Sequence, residues 1–79
     1  MKIRLITDLY DLLLNHVPTE SSAYGCLEKA SKIDGLINAV DEYWVDCTPQ
    51  QADEFLEAAK KHFQFRVREI EQAIVQAYR

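Results

Sequence analysis

The chain has 79 residues, 48% of them hydrophobic and 28% charged, with two Gly, two Pro, two Cys and a formal net charge of −4. So short a chain makes one small domain with a thin core, burying only about 60% of its extended-chain surface. Scarce turn formers exclude a turn-rich all-β fold, and the apolar content excludes disorder. The longest uncharged stretch is too short to span a membrane. Asp8 and Asp11 interrupt the apolar run that a secretory signal would need after Lys2 and Arg4. A reducing cytoplasm with Cys26 and Cys47 as free thiols is the expectation.

The first segment, Ile3 to His16, has the spacing of an amphipathic helix. Ile6, Leu9, Tyr10, Leu13 and Val17 fall on one stripe, widened by Leu5 and Leu12. Met1–Ile6 alone would pass for a strand, but no partner follows within hairpin range. Pro18 pushes Val17 out of the helical region and ends the segment. A polar link, Thr19 to Ser22, leads to a short second helix near Ser22–Ala30, with Tyr24, Leu27 and Ala30 on one face. Gly25 inside it costs roughly 1 kcal/mol relative to alanine and allows either close packing or an irregular turn.

Ser31, with Asp34 three residues on, is a start signal for a third helix. Ile33, Leu36, Ile37, Val40 and Trp44 follow at helical spacing. Val45-Asp46-Cys47 then connects to Thr48, although Tyr43-Trp44-Val45 has the composition of a short extended piece.

The final segment begins with Thr48-Pro49-Gln50-Gln51. Thr48 can accept from a first-turn amide, Pro49 is pre-set for the first helical position, and Gln51 can reach back to the Thr48 amide. From Pro49 to Arg79 there is no glycine and no further proline, so a single rod of up to about 45 Å is expected. Ala52, Leu56, Ala59, Phe63, Val67, Ile70, Ile74 and Tyr78 form its seam, with Phe55 alongside. Their period of about 3.7 disfavours a left-handed heptad coiled coil. The far end offers a stripe on which a second copy could pair. The expected fold is therefore all-α, three short helices packed on one long C-terminal helix as a four-helix bundle-like domain over residues 1–79.

Chemistry-bearing patterns are sparse. His16, His62, Cys26 and Cys47 include no C-x-x-C or H-x-x-x-H pair, so no metal site is expected. Neither cysteine has an adjacent histidine, although the helix start after Cys47 could lower its pKa slightly. The pairs Asp41-Glu42 and Asp53-Glu54 point different ways on a helix, and no glycine-rich phosphate loop exists. No catalytic residue, cofactor or enzymatic activity is expected.

Charge is unevenly placed. Residues 1–59 carry four Lys or Arg against eleven Asp or Glu, a balance of −7, whereas residues 60–79 carry five against two, or +3. Lys60, Lys61, Arg66 and Arg68 lie away from the helix end, where the macrodipole gives no reason for them. Interleaved with Phe63 and Phe65, they suit an acidic protein partner or phosphates. Phe65 lies off the seam. With Tyr43 and Trp44 it is a candidate anchor, because aromatic and Arg residues dominate interface hot spots. The expected contact set is Tyr43, Trp44, Lys60, Lys61, Phe65, Arg66 and Arg68, in a protein-protein interaction module. A direct nucleic-acid binder and a mobile-element inhibitor or immunity protein are the alternatives.

Residues 24–68 also resemble the Hha/YmoA family of small nucleoid modulators. Ile33-Asp34-Gly35-Leu36 resembles that family's I-D-x-L motif. Val40-Asp41 follows, then Val45-Asp46-Cys47-Thr48 in place of an aromatic-acidic-Leu-Ser turn, and Phe55, Ala58 and Ala59 align without a gap. Upstream, Tyr24 and Leu27 resemble the end of the family's first helix. The resemblance implies a regulator without a catalytic site, acting on DNA through a helical oligomeric partner such as a nucleoid-associated protein. The chain departs from the family at Lys60-Lys61-His62, where the family has Asp-His-Arg. That reversal of charge would demand a different partner surface.

Overall fold

The computed structural model describes residues 1–34 and 42–78, the side chains of 32–34 apart. Its elements run β1 (Lys2–Ile6), α1 (Thr7–His16), α2 (Ser22–Asp34), β2 (Glu42–Asp46), α3 (Pro49–His62), a 3-10 turn (Gln64–Arg66) and α4 (Val67–Ala77). The protein is mostly helical, but β1 and β2 form an antiparallel sheet, which makes it α+β and corrects the all-α expectation.

The sheet arises from two five-residue segments of alternating pattern. Ile3 and Leu5 are fully buried and Lys2, Arg4 and Ile6 point outward, the period-two signature of a half-buried strand. Opposite them, Val45 faces Ile3 and Tyr43 faces Leu5 on the inner side, while Trp44 faces Arg4 on the outer. Arg4 Nε lies 3.2 Å from Glu42 Oε2 on that outer face. At the far end, Cys47 N donates to Met1 O at 2.8 Å and Met1 N donates to Cys47 O at 2.9 Å. The partner of Met1–Ile6 thus lies some forty residues downstream, where a search confined to hairpin range does not reach.

Helix α1 starts at Thr7, not Ile3, and buries Leu9, Tyr10 and Leu13. Val17 takes φ −72° and ψ 131°, extended as the following proline requires. The Tyr10 hydroxyl donates to Leu27 O at 2.5 Å, and its ring stacks on Tyr43 at 4.0 Å between centroids. One side chain therefore ties α1 to α2 and β2.

Helix α2 runs through Ser31, so no new helix begins there. Ser31 lacks the break in backbone direction that a cap requires. A Cβ added at Gly25 would meet nothing within 4 Å, so neither close packing nor an irregular turn explains this glycine. Leu36, Ile37 and Val40, expected on a third core stripe, lie outside the described residues, as does the side chain of Ile33. Trp44, assigned to the same stripe, is in β2 and half exposed.

The capping box of α3 forms as its residues require. Gln51 N donates to Thr48 Oγ1 at 3.2 Å, and Thr48 N donates to Gln51 Oε1 at 2.9 Å. Ala52, Phe55, Ala58 and Ala59 enter the core. The single rod does not form. Phe63 leaves helical geometry at φ −150° and ψ 67°, and the 3-10 turn redirects the chain into α4.

Two physical reasons account for this break. A continuous helix from Pro49 to Ala77 would be about 43 Å long, and its far half would project into solvent instead of covering the sheet, whereas the bent chain spans 31 Å at most. Folding back lets α4 pack along β1 and bury Ile70 and Ala73. Locally, His62-Phe63-Gln64-Phe65-Arg66-Val67 is rich in aromatic and β-branched residues of middling helix propensity, so no breaker is needed.

Two substitutions check this arrangement. Val45→Ala should cost about 2 kcal/mol in urea unfolding, because it empties a fully buried site, and Trp44→Ser should cost less. The reverse order would contradict the sheet. Gly25→Ala should stabilise by roughly 0.5–1 kcal/mol, since it removes helix-interior glycine entropy without a clash.

Candidate functional site

The seven residues expected at a contact surface do not share one cleft. Lys60 and Lys61, at the end of α3, line a cleft of about 550 Å³ with Ser21, Glu54, Glu57, His16 and His62. Phe65 and Arg66 line another of about 380 Å³ with Asp8, Asp11, Leu12 and Asn15 of α1 and its start. Trp44 lines a third, of about 230 Å³, with Lys2, Arg4, Ala73, Gln76 and Ala77. Tyr43 is half-buried and stacked on Tyr10, and Arg68 is exposed on α4.

Phe65 is the most exposed large apolar side chain among the described residues, at 84%. Its position follows from the break. Phe63 is 4% exposed and belongs to the core, and the 3-10 turn that follows carries Phe65 outward. Beside it, Arg66 is committed: Nη2 lies 3.2 Å and Nε 3.3 Å from the Glu69 carboxylate, and Nη1 lies 4.0 Å from Asp8. Lys60 sits 4.0 Å from Glu57. The basic cluster is thus interrupted by acids, and of its members Arg66 is the most fully engaged. The break also folds the far end of the expected rod, proposed to seat a second copy, back onto the domain as α4, where Ile70 is buried. On α4, Val75 at 55% and Tyr78 just beyond at 63% are exposed.

One juxtaposition escaped sequence reasoning. His16 is the last residue of α1 and His62 the last of α3, and their rings meet at 4.6 Å between centroids with a 42° tilt. His16 also meets the edge of Phe63 at 5.6 Å. Separated by forty-six positions, the pair leaves no spacing signal, and on the sequence reading His62 falls in mid-rod rather than at a helix end. His62 is held below the ordinary histidine pKa by loss of hydration, then by His16 and Lys61. Among the described residues no three His, Cys, Asp or Glu side chains converge on one point.

The thiols are unactivated. Burial first, then the neighbouring Cys26, pushes Cys47 up to about 11, so the helix start after it does not lower its pKa. Burial also raises Cys26, whose Sγ donates to Gln51 Oε1 at 3.1 Å. Both cysteines are unbridged. Among the described residues no helix is long and apolar enough to cross a membrane.

Comparison with family models, curated proteins and solved structures found no match for the chain. Of the residues that carry the nucleoid-modulator resemblance, Phe55, Ala58 and Ala59 are core positions, and Val45 to Thr48 spans the end of β2 and the cap of α3. Gly35, Leu36, Val40 and Asp41 lie outside the described residues.

Alkylation of the native protein at neutral pH should modify half-buried Cys26 faster than buried Cys47, with both reacting fast only on unfolding. Site-resolved mass spectrometry reads the two rates. Equal rapid labelling of both in the folded state would contradict the environment assigned to Cys47.

Proposed function

We propose that the protein is a non-enzymatic protein-protein interaction module whose contact surface centres on Phe65. The observation that supports this reading is the 84% exposure of a phenylalanine on a turn, in a chain whose core is small. Burying such a ring is worth roughly 1.5–3 kcal/mol, which folding forgoes and a partner can recover. The adjoining cleft offers Asp8 and Asp11 beside half-buried Leu12, a mixed apolar and acidic seat beside an aromatic anchor. Lys60 and Lys61 lie on the α3 end of the same break, and Trp44 would contribute on a separate face.

A regulatory role through a helical partner is the form of this reading that the family resemblance of residues 24–68 implies. Direct nucleic-acid binding through Lys60, Lys61, Arg66 and Arg68 is less well supported. Phosphates would have to compete with Glu69 and Asp8 for Arg66 and with Glu57 for Lys60.

Affinity capture from the cell of origin with wild-type and Phe65→Ala protein tests the proposal. A hot-spot ring implies loss of about 2 kcal/mol, roughly thirtyfold in affinity, for a partner held by the wild type. Circular dichroism should show the variant folded, since the ring contributes little to the core. Equal capture by both proteins, or no specific capture by the wild type, would overturn it.

A further inference from the structure

We propose that His16 and His62 form a two-histidine site for a divalent transition metal of the zinc and copper class. Imidazole nitrogen suits both ions, and copper should bind the tighter. The inference is independent of the reading built on Phe65.

The geometry of the pair carries it. An ion about 2.0–2.1 Å from each coordinating nitrogen lies about 3.2 Å from each ring centroid. Two imidazoles sharing that ion at angles between square-planar and tetrahedral then have centroids about 4.5–5.2 Å apart. The observed 4.6 Å falls inside this window. Both rings sit at helix ends that the core already fixes, α1 through Leu13 and α3 through Ala59.

His16 also has the outer hydrogen bond that metal-bound histidines commonly make. Its Nδ1 lies 2.9 Å from Leu12 O. A carbonyl can only accept, so the proton resides on Nδ1 and the neutral ring keeps its Nε2 lone pair for an ion.

The charged groups around the pair are balanced. Glu54 and Glu57 line the same cleft as Lys60 and Lys61. Ser21 Oγ donates to Glu54 at 2.7 Å, and Lys60 engages Glu57. With no third side chain converging among the described residues, water would complete the coordination sphere, and affinity would be modest. A bound ion would clamp the end of α1 to the end of α3, close to Phe63, whose ring packs edge-on with His16.

The chain contains two histidines, so ring resonances assign themselves almost without effort. Titration of the full chain with zinc chloride, followed by imidazole NMR and calorimetry, should shift both histidines along one saturation curve. His16→Ala and His62→Ala should each weaken binding at least about tenfold, whereas Cys26→Ser should leave it unchanged. Affinity should fall as pH is lowered, because protons compete for the same nitrogens. Both rings are exposed, so circular dichroism should show the variants folded. A shift of one ring alone, of neither, or binding that survives either alanine substitution would overturn the site.

Discussion

The pairing of β1 with β2 is the constraint on which the rest of the structure depends. It brings residues 2–6 against residues 42–46 and so closes a loop that holds α1 and α2. Closing a loop of this length costs chain entropy that the strand hydrogen bonds alone do not offset. An isolated two-stranded sheet is marginal in water for the same reason. Here the inner face makes up the difference: Ile3, Leu5 and Val45 are fully buried, and helices α1, α2 and α4 all contact the strands. Tyr10 adds a fixed point, its ring on Tyr43 and its hydroxyl on Leu27.

Because the sheet needs a cover along β1, the last thirty residues cannot remain straight. A rod would leave Ile70 and Ala73 in water and β1 open; a bend buries both. The cost of the bend is a few helical hydrogen bonds near Phe63, partly replaced by Arg66 N donating to Phe63 O at 2.9 Å. Its consequence is the surface chemistry of the molecule. The same break that turns Phe63 inward turns Phe65 outward, and the end of α3 it defines brings His62 beside His16.

Much of this was legible in the sequence where the cause is local. The Thr48-Gln51 box depends on four consecutive residues and forms as those residues demand. Pro18 ends α1 because its ring acts on the residue before it. The 3.6-residue stripe of Leu9, Tyr10 and Leu13 is buried because one helix carries it. What was not legible depends on distant partners. Met1–Ile6 and Tyr43–Val45 each had strand composition, but only each other's presence makes either a strand. Absence of Gly and Pro after Pro49 permitted a long helix without requiring one, since tertiary packing outweighs a weak local preference. Of the expected contact residues, Phe65 shows its exposure in the sequence by its failure to fit the seam. The His16–His62 contact left no comparable trace, because it is set by where two helices end in space.

The exposure of Phe65 separates geometric necessity from residue choice. Phe63 and Phe65 are two positions apart across a 3-10 turn, so the core can take one of them and the other must face out. That geometry explains why position 65 points to solvent. It does not explain why the position is aromatic, because glutamine, as at position 64, would satisfy the same backbone and remove an apolar ring from water. For a small domain whose whole stability is of order 5–15 kcal/mol, a forgone burial of roughly 1.5–3 kcal/mol is a substantial fraction. The backbone dictates the direction of the side chain and leaves its identity open, which is the part that the proposed contact surface would account for.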